Sequence, residues 1–319
     1  MSRRPPRVHR QVRGFDRVAE MYERGRPGYP RAAVRFLVRE LGLGPGRTVV
    51  ELGSGTGKLT RALLPSGAAV VAIEPTAGMR RVFERELPST LVVDGVAEAI
   101  PLPDGFADAV VAAQAFHWFR TGPALREIER VLRPGGKLGL IWNVREPTTA
   151  VARRLNELLE RRGELAARAP GRPWKATFER GGHGFGRLDQ RSFLHSQFLR
   201  SATLVERVLS VSVIATLRPE RRRKVAAEVR AILADEARDA RATVRIPYRA
   251  DVYVARRVRR EGGGRPASEA SHRGDHTQRP HFSGLGSARP SYGPVASSRV
   301  ERTRARKPAS HGTARSPSV

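Results

Sequence analysis

Apolar residues form short continuous runs in some segments of the chain, as in buried strands, and recur every three to four residues in others, as in helices. Short apolar runs at 48–52 and 69–73 predict two buried strands, because they are rich in β-branched residues and bounded by polar or glycine-rich segments. Similar runs predict two further strands, at 108–112 and 138–142, which we call the fourth and fifth because the chain between 73 and 108 has room for another. Since strands alternate with helical segments from residue 48 to residue 142, we predict an α/β fold with a mainly parallel, Rossmann-like sheet flanked by helices.

Helical periodicity precedes this alternating region. Phe15, Val18 and Tyr22 predict a lid helix, and Pro30 begins a second helix that Gly42 ends. The apolar face of this second helix consists of Val34, Leu37, Val38 and Leu41. We therefore expect two helices before the first strand.

The carboxyl half predicts a small helical cap and two further strands. Residues 150–165 have a helical pattern, whereas 170–186 is rich in Gly, Arg and Pro and is predicted to be a loop. Strand character returns at 192–199 and 243–254, which predicts a hairpin-like pair that completes the sheet around the inserted cap.

The two ends of the chain lack this patterning. We predict that 1–13 is disordered and that 261–319, a mixture of Gly, Ser, Pro, Arg and His without periodicity, is a disordered tail. One hypothesis is that this tail is a frame-shifted or read-through extension. Residues 14–260 are then one domain. Its parts are the lid and first helices at 14–47, the cofactor-binding core at 48–142, and the cap and final strands at 143–260.

The loop after the first predicted strand has glycine at every second position. Gly53, Gly55 and Gly57 allow backbone angles and a close ligand approach that a Cβ atom would prevent. The following helix directs its free amide donors toward the same loop, which favours a cofactor or an anion. Glycine-rich turns also occur where tight packing alone requires them.

Spacing separates the usual occupants of such a loop. A Walker-type phosphate loop is excluded. Leu52 occupies the position where this loop needs glycine, and Leu59 occupies the position where it needs Ser or Thr. A dinucleotide fingerprint is weakened, because its third glycine is replaced by Lys58. The pattern acidic-x-Gly-x-Gly-x-Gly, which begins at Glu51, fits without a substitution.

This pattern resembles the first motif of class I S-adenosylmethionine-dependent methyltransferases. Further segments resemble later motifs in the same order, at 94–101 and 133–137. Segments at 15–30 and 114–119 are similar to those of the type 11 methyltransferase domain group, which includes enzymes similar to trans-aconitate methyltransferases. With the late segments at 206–212 and 246–253, the resemblance covers about residues 14–257. One departure is Val211, where we expect a polar or basic residue.

The resemblance implies S-adenosylmethionine as cofactor. Glu74 ends the second predicted strand, where a carboxylate can accept hydrogen bonds from both ribose hydroxyls, each contributing roughly 1.5–3 kcal/mol. The implied cofactor-binding residues are Glu51, Gly53, Ser54, Gly55, Gly57, Glu74, Ala97, Glu98 and Gln114.

The implied substrate or lid residues are Tyr22, Arg26, Tyr29, Phe116 and Trp118. His117 is the candidate general base, because it follows the fourth strand at its carboxyl end, where open α/β sheets bind ligands. The alternative is a histidine that only packs beside Trp118. We predict in-line methyl transfer to an O, N or carboxylate group of a small-molecule acceptor.

Charge and cysteine content limit the alternatives. The net charge of +28 comes almost entirely from arginine, so non-specific binding of polyanions is expected at low salt. An RNA or protein methyltransferase is one alternative, although the basic cluster at 218–224 is readily explained as a solvated helix face. A nicotinamide-binding or non-catalytic Rossmann-like protein is another.

The chain has no cysteine, and no apolar run approaches the roughly 20 residues of a membrane span. We expect no metal, no membrane partner and a cytoplasmic location.

Overall fold

The computed structural model describes residues 12–163, 173–180, 183–234 and 243–258. The predicted disordered tail at 261–319 and nearly all of the predicted disordered segment at 1–13 lie outside these residues. Residues 12–17 form a 3-10 turn ahead of the first helix.

The described residues form a seven-stranded sheet in the order β3-β2-β1-β4-β5-β7-β6. The strands are β1 (Thr48–Leu52), β2 (Ala69–Ile73), β3 (Leu91–Val93), β4 (Ala107–Ala113), β5 (Leu132–Arg145), β6 (Asp189–Arg200) and β7 (Thr243–Arg256). The first five strands pair in parallel, and β7 is antiparallel to both β5 and β6. The α/β fold with a mainly parallel sheet is therefore confirmed.

Helices connect the strands and cover both faces of the sheet. They are α1 (Ala19–Gly25), α2 (Arg31–Leu41), α3 (Lys58–Leu63), α4 (Ala77–Glu86), α5 (Thr121–Val131), α6 (Ala150–Glu160), α7 (Pro173–Arg180), α8 (Ser201–Leu209), α9 (Ser212–Ala215) and α10 (Pro219–Ala234). Gly42 ends α2 in the left-handed conformation with φ 68°, as expected for a glycine that follows the last helical turn.

The three largest apolar clusters of the described residues hold these layers together. On one face of the sheet, Leu37 of α2 packs with Val49 and Ile141, and on the other face Phe116 packs with Trp142. The third cluster joins α6, α8, α9 and α10 to the amino-terminal half of β7. The cap is therefore attached to β7, which lies between β5 and β6 in the sheet.

The predicted loop at 170–186 is wrong in its central part, where α7 is a helix. Trp174 and Phe178 are four residues apart, so they lie on one helical face, and both are buried. The ring of Trp174 stacks on Trp142 with centroids 4.9 Å apart. Burial of two large aromatic side chains therefore outweighs the glycine and proline content of the segment.

Two further differences concern the strands. The fifth strand runs from Leu132 to Arg145, longer than the predicted 138–142, and its pairing with β4 shifts register where Gly135 adopts φ 77°. Val211, where a polar residue is expected, is fully buried in the cluster of the cap.

Candidate active site

Two neighbouring cavities lie at the carboxyl ends of β1, β2 and β4. The loop cleft has a volume of about 1130 Å³ including its opening to solvent. It is lined by Phe15, Tyr22, Arg26, Gly53, Gly55, Glu74, Pro75, Thr76, Met79, Gly95, Val96, Ala97, Glu98, Ala113, Gln114, Ala115, Trp118, Phe119 and Arg120. Since parallel strands place their carboxyl ends at one edge, segments far apart in sequence meet here.

The glycines of the loop after β1 differ in what they contact. A Cβ atom on Gly55 would meet nothing within 4 Å, so this position faces open space in the loop cleft. A Cβ atom on Gly57 would lie 2.6 Å from Leu87 Cδ1 and 2.8 Å from Phe83 Cδ2. Gly57 lines neither cavity in the described part of the chain, so packing and its φ of 84° account for it. The contact of Gly57 with a cofactor stays a prediction.

Glu74 lies at the wall of the loop cleft and is 4% exposed. Its Oε2 accepts a hydrogen bond of 2.9 Å from the amide of Gly55, and its Oε1 accepts one of 2.9 Å from the amide of Thr76. The Thr76 hydroxyl also donates to Oε1. Burial raises the pKa of Glu74, although these hydrogen bonds oppose the shift. The carboxylate is therefore fixed in place between the glycine loop and the start of α4.

The segment after β3 also lines the loop cleft. Val96, Ala97 and Glu98 all line the loop cleft, and Ala97 is 4% exposed. Glu98 Oε1 accepts a hydrogen bond of 2.6 Å from the amide of Arg120, immediately before α5. This contact fixes the segment relative to the loop after β4.

Gln114, directly after β4, lines both cavities and has a left-handed backbone with φ 55°. A non-glycine residue in this region carries a strain of order 1–3 kcal/mol and needs support from its surroundings. The amide of Gln114 donates to Ile141 O at 2.9 Å, and its side-chain amide donates to Asn143 O at 3.2 Å. The strained backbone holds the side chain between the two cavities.

The amino-terminal lid segment is fastened over this edge by acidic side chains. Asp16 accepts a hydrogen bond of 2.5 Å from the amide of Gly78 in α4. Glu23 of α1 accepts from the Thr56 hydroxyl at 2.5 Å and forms an ion pair of 3.3 Å with Lys58. Lys58, which stands where the dinucleotide fingerprint has its third glycine, thus contacts the lid.

This placement of α1 brings Tyr22 and Arg26 to the cavities. Both line the loop cleft and the second cavity, and the Arg26 guanidinium lies 4.9 Å from the centroid of the Tyr22 ring. Arg26 is 8% exposed, and its Nη2 donates to Ser210 O at 3.3 Å. The lid therefore contributes a buried cation to both cavities.

The second cavity, which we call the arginine cavity, is smaller, with a volume of about 440 Å³ including its opening to solvent. Its lining includes Arg26, Arg207, Tyr248, Asn143 and Glu51. Ser54 and Tyr29, predicted as cofactor and lid residues, also line it, and Trp118 lines the loop cleft. The two cavities share Tyr22, Arg26, Gly53, Ala113 and Gln114.

Glu51 is fully buried at the base of the arginine cavity. Its Oε2 accepts a hydrogen bond from the Thr60 hydroxyl, while Oε1 has no partner among the described residues. Burial raises the pKa of Glu51 to about 8. The side chain is therefore mostly protonated and neutral at pH 7.

Two predicted site residues after β4, His117 and Phe116, are absent from the lining of both cavities in the described part of the chain. His117 lines neither cavity of the described part, and its Nδ1 lies 3.3 Å from the donating Nε1 of Trp142. Its ring centroid is 4.6 Å from that of Trp118. Phe116 is fully buried and packs edge-on against Trp174, with centroids 5.6 Å apart. His117 thus makes the contacts that the packing alternative describes, Phe116 packs in the core, and the role of His117 as a base stays a prediction.

Sequence reasoning did not single out Asn143, Arg207 or Tyr248 as site residues. Asn143 donates to Gly28 O at 2.9 Å, and its Oδ1 lies 2.9 Å from His195 Nε2. Burial lowers the pKa of His195, which favours its neutral form. The segments at 206–212 and 246–253 indicated relatedness, but no local pattern shows that Arg207 and Tyr248 face one cavity.

The described residues contain no cluster of three or more His, Asp or Glu side chains that could hold a metal ion. Among the described helices, none is both long enough and apolar enough to cross a membrane.

Comparison with known proteins gives consistent matches. A family model described as a methyltransferase domain matches residues 50–140. An uncharacterised methyltransferase-like protein of Schizosaccharomyces pombe is 36% identical over 209 residues, which cover 65% of this chain and 81% of that protein. An uncharacterised methyltransferase of Mycobacterium tuberculosis is 45% identical over 150 residues, or 47% of this chain. The match spans only 60% of the length of this mycobacterial relative.

Solved structures agree at the level of the fold. A protein from Anaeromyxobacter dehalogenans, described as a type II methyltransferase, matches with a TM-score of 0.53 and 23% identity. The match covers 72% of this chain and 97% of that chain. At this identity the likeness supports the sheet topology alone.

Proposed function

This chain belongs to the class I S-adenosylmethionine-dependent methyltransferases, and we propose that it transfers a methyl group to a small-molecule acceptor bound in the arginine cavity. The observation that carries the proposal is the adjacency of the two cavities. Tyr22, Arg26, Gly53 and Gln114 line both of them, so molecules in the two cavities would meet at these residues.

The loop cleft has the features that S-adenosylmethionine requires. Gly55 leaves open space beside the loop, and the Glu74 carboxylate lies at the same wall, where it would accept hydrogen bonds from the ribose hydroxyls. The segment at 96–98 would contact the adenine. Glu51 Oε1 and Ser54 Oγ, which line the arginine cavity, are buried without a partner among the described residues, so they offer polar contacts to a methionine end that reaches from the loop cleft into this cavity.

The side chains that face the cavities serve mainly to position the reactants. The bound cofactor supplies a sulfonium methyl group that an acceptor atom attacks in line with the departing sulfur. Correct positioning can supply about 7–11 kcal/mol, whereas a general base adds roughly a hundredfold to ten-thousandfold in rate. With His117 outside the cavities, positioning by Gln114 and the lid is the larger contribution.

The anchoring of the lid favours a small acceptor. Glu23 and Asp16 fasten α1 and the preceding turn to the rim of the cleft, and Tyr22 and Arg26 of the same segment line the arginine cavity. An RNA or a protein side chain would have to displace this segment. The net charge of +28 favours such a macromolecular acceptor as the second candidate.

Incubation of the protein with methyl-labelled S-adenosylmethionine and an extract of the cells that express it tests the proposal. We expect the label to enter small molecules that pass a filter of low molecular-weight cut-off. Label recovered in RNA or protein, with none in the small-molecule fraction, would establish the second candidate instead.

A further inference from the structure

A third cavity lies beside α2, between the end of α3 and the edge strand β6, and we call it the outer groove. Its volume is about 1120 Å³ including its opening to solvent. Its charged and aromatic lining residues are Arg35, Phe36 and Arg39 of α2 and Arg191 and Phe193 of β6. In the described part of the chain, the outer groove shares no lining residue with the loop cleft or the arginine cavity. The proposed methyl transfer therefore gives it no role.

The charges of the outer groove have one sign. Among the described residues that line it, none is acidic. Arg35 and Arg191 are exposed and form no ion pair with the rest of the described chain. The side chain of Arg39 is 67% exposed and pairs with the neighbouring Glu40 at 2.8 Å, a surface contact that contributes little and leaves the guanidinium available.

The arrangement of these arginines suits a chain of anionic groups. Arg35 and Arg39 are one helical turn apart, so their side chains leave α2 at neighbouring positions about 6 Å apart. Arg191 adds a third charge from β6. A single carboxylate or phosphate would engage only part of this set, whereas a polymer with repeated phosphates would engage all of it.

Two aromatic rings lie among these charges. Phe36 and Phe193 contact each other with ring centroids 5.7 Å apart, and both are partly buried against the core. The guanidinium carbon of Arg191 lies 5.4 Å from the centroid of Phe36 and 5.6 Å from that of Phe193. The guanidinium carbon of Arg39 lies 5.3 Å from the centroid of Phe36. Aromatic rings and guanidinium planes are the surfaces on which proteins stack unpaired nucleobases.

This combination of features selects one class of polyanion. A polyphosphate has no flat group that would use the rings, and a duplex keeps the faces of its bases stacked inside. A bilayer is too flat to reach the floor of a groove, and a second copy of the chain would oppose arginine to arginine. A single-stranded nucleic acid has both repeated phosphates and accessible base faces.

We propose that the outer groove binds a single-stranded nucleic acid. Its phosphates pair with Arg35, Arg39 and Arg191, and its bases stack at Phe36 and Phe193. The net charge of +28 brings such a polyanion to the surface of the protein. The inference goes beyond the proposed methyl transfer and does not require the bound strand to be methylated, because the groove is separate from both cavities.

Fluorescence anisotropy of the full-length protein with a labelled oligouridine of about 12 nucleotides tests the proposal. The variant that combines Arg35→Gln, Arg39→Gln and Arg191→Gln should bind at least about tenfold more weakly than the parent at about 50 mM salt. Its plot of log affinity against log salt concentration should be less steep by about 2, because each phosphate contact of a single strand contributes about 0.7.

A second triple variant is the matched control. Arg221→Gln, Arg223→Gln and Arg230→Gln remove the same number of charges from exposed positions of α10. This variant should keep the affinity of the parent within about twofold and the same salt dependence. Thermal unfolding followed by circular dichroism should show the transition of the parent in both triple variants.

Substitution of the two rings tests the stacking part of the proposal separately from the charge. Phe36→Leu combined with Phe193→Leu keeps apolar side chains against the core but removes the aromatic planes. Affinity for the oligouridine should fall about fivefold or more, whereas affinity for polyphosphate should not change.

Several results would overturn the assignment. Equal weakening in the two triple variants would show that total charge alone determines binding. Displacement of the oligouridine by duplex RNA, polyphosphate or vesicles of anionic phospholipid as effectively as by unlabelled oligouridine would assign the groove to a different partner. Absence of binding by the parent, or unchanged oligouridine affinity in the leucine variant, would also contradict the proposal.

Discussion

Three carboxylates near the cavities show how burial and local partners determine the chemistry of one residue type. Glu23 is held by Thr56, Lys58 and Arg61, and these contacts outweigh burial, so its pKa is lowered. Glu74 and Glu51 are both buried and have raised pKa values. Glu23 is thus a charged anchor for the lid, whereas Glu51 is a largely neutral acid beneath the arginine cavity.

The raised pKa of Glu51 predicts a pH dependence of stability. Its ordinary value is 4.5 and its folded value is about 8, so between these values the folded state binds more protons than the unfolded chain. The free energy of unfolding should therefore fall as pH rises through this window, at about 1.4 kcal/mol per unit for a fully buried group. Glu51→Gln mimics the protonated acid and should lack this contribution.

Denaturant unfolding of the parent and Glu51→Gln at pH 5 and pH 8 measures the effect. The variant should be close to the parent at pH 5 and more stable than it at pH 8. A difference between the two proteins that does not change with pH would show that Glu51 is ionised throughout.

At the scale of elements, the α/β core can be predicted from the sequence because a local run of apolar residues marks each strand. The observed β1 and β2 have the predicted bounds, since their apolar runs are short and sharply ended by glycine or charge. The helix α7 is not predictable in this way. Its apolar residues, Trp174 and Phe178, gain their stabilisation from Trp142 and Phe116, which are distant in sequence.

Because α7 packs on the sheet in this way, removing its buried aromatic side chain should lower the free energy of unfolding. Trp174→Ala should reduce the free energy of unfolding by about 3–5 kcal/mol, because a large buried aromatic side chain leaves a cavity. Glu179→Ala, at an exposed position of the same helix, should change it by less than about 0.5 kcal/mol. Equal, small effects in both variants, measured by chemical denaturation, would mean that α7 does not pack on the sheet.

At the scale of the molecule, sheet topology explains which part of the site can be predicted. Gly55, Glu74 and Gln114 each follow a parallel strand, so their meeting at one edge follows from the strand order. Arg207 and Tyr248 come from the cap and from the strand that enters the sheet antiparallel to its neighbours. Their convergence depends on tertiary packing of α8 against the lid, for which a single sequence contains no local signal.

The central claim is that the loop cleft binds S-adenosylmethionine, and Glu74 is its most specific element. Glu74→Ala removes the carboxylate together with its hydrogen bond to the Gly55 amide, and Glu84→Ala, at an exposed position of α4, is the matched control. Two hydrogen bonds from ribose to a charged group predict a loss of at least about tenfold in affinity for the first variant and none for the second.

Isothermal titration of the parent and these two variants with S-adenosylhomocysteine, and of the parent with NADH, is the most direct test. The account predicts one S-adenosylhomocysteine bound per chain, weakened in Glu74→Ala, unchanged in Glu84→Ala, and no binding of NADH. Binding of NADH by the parent, or equal S-adenosylhomocysteine affinity in the parent and Glu74→Ala, would contradict it.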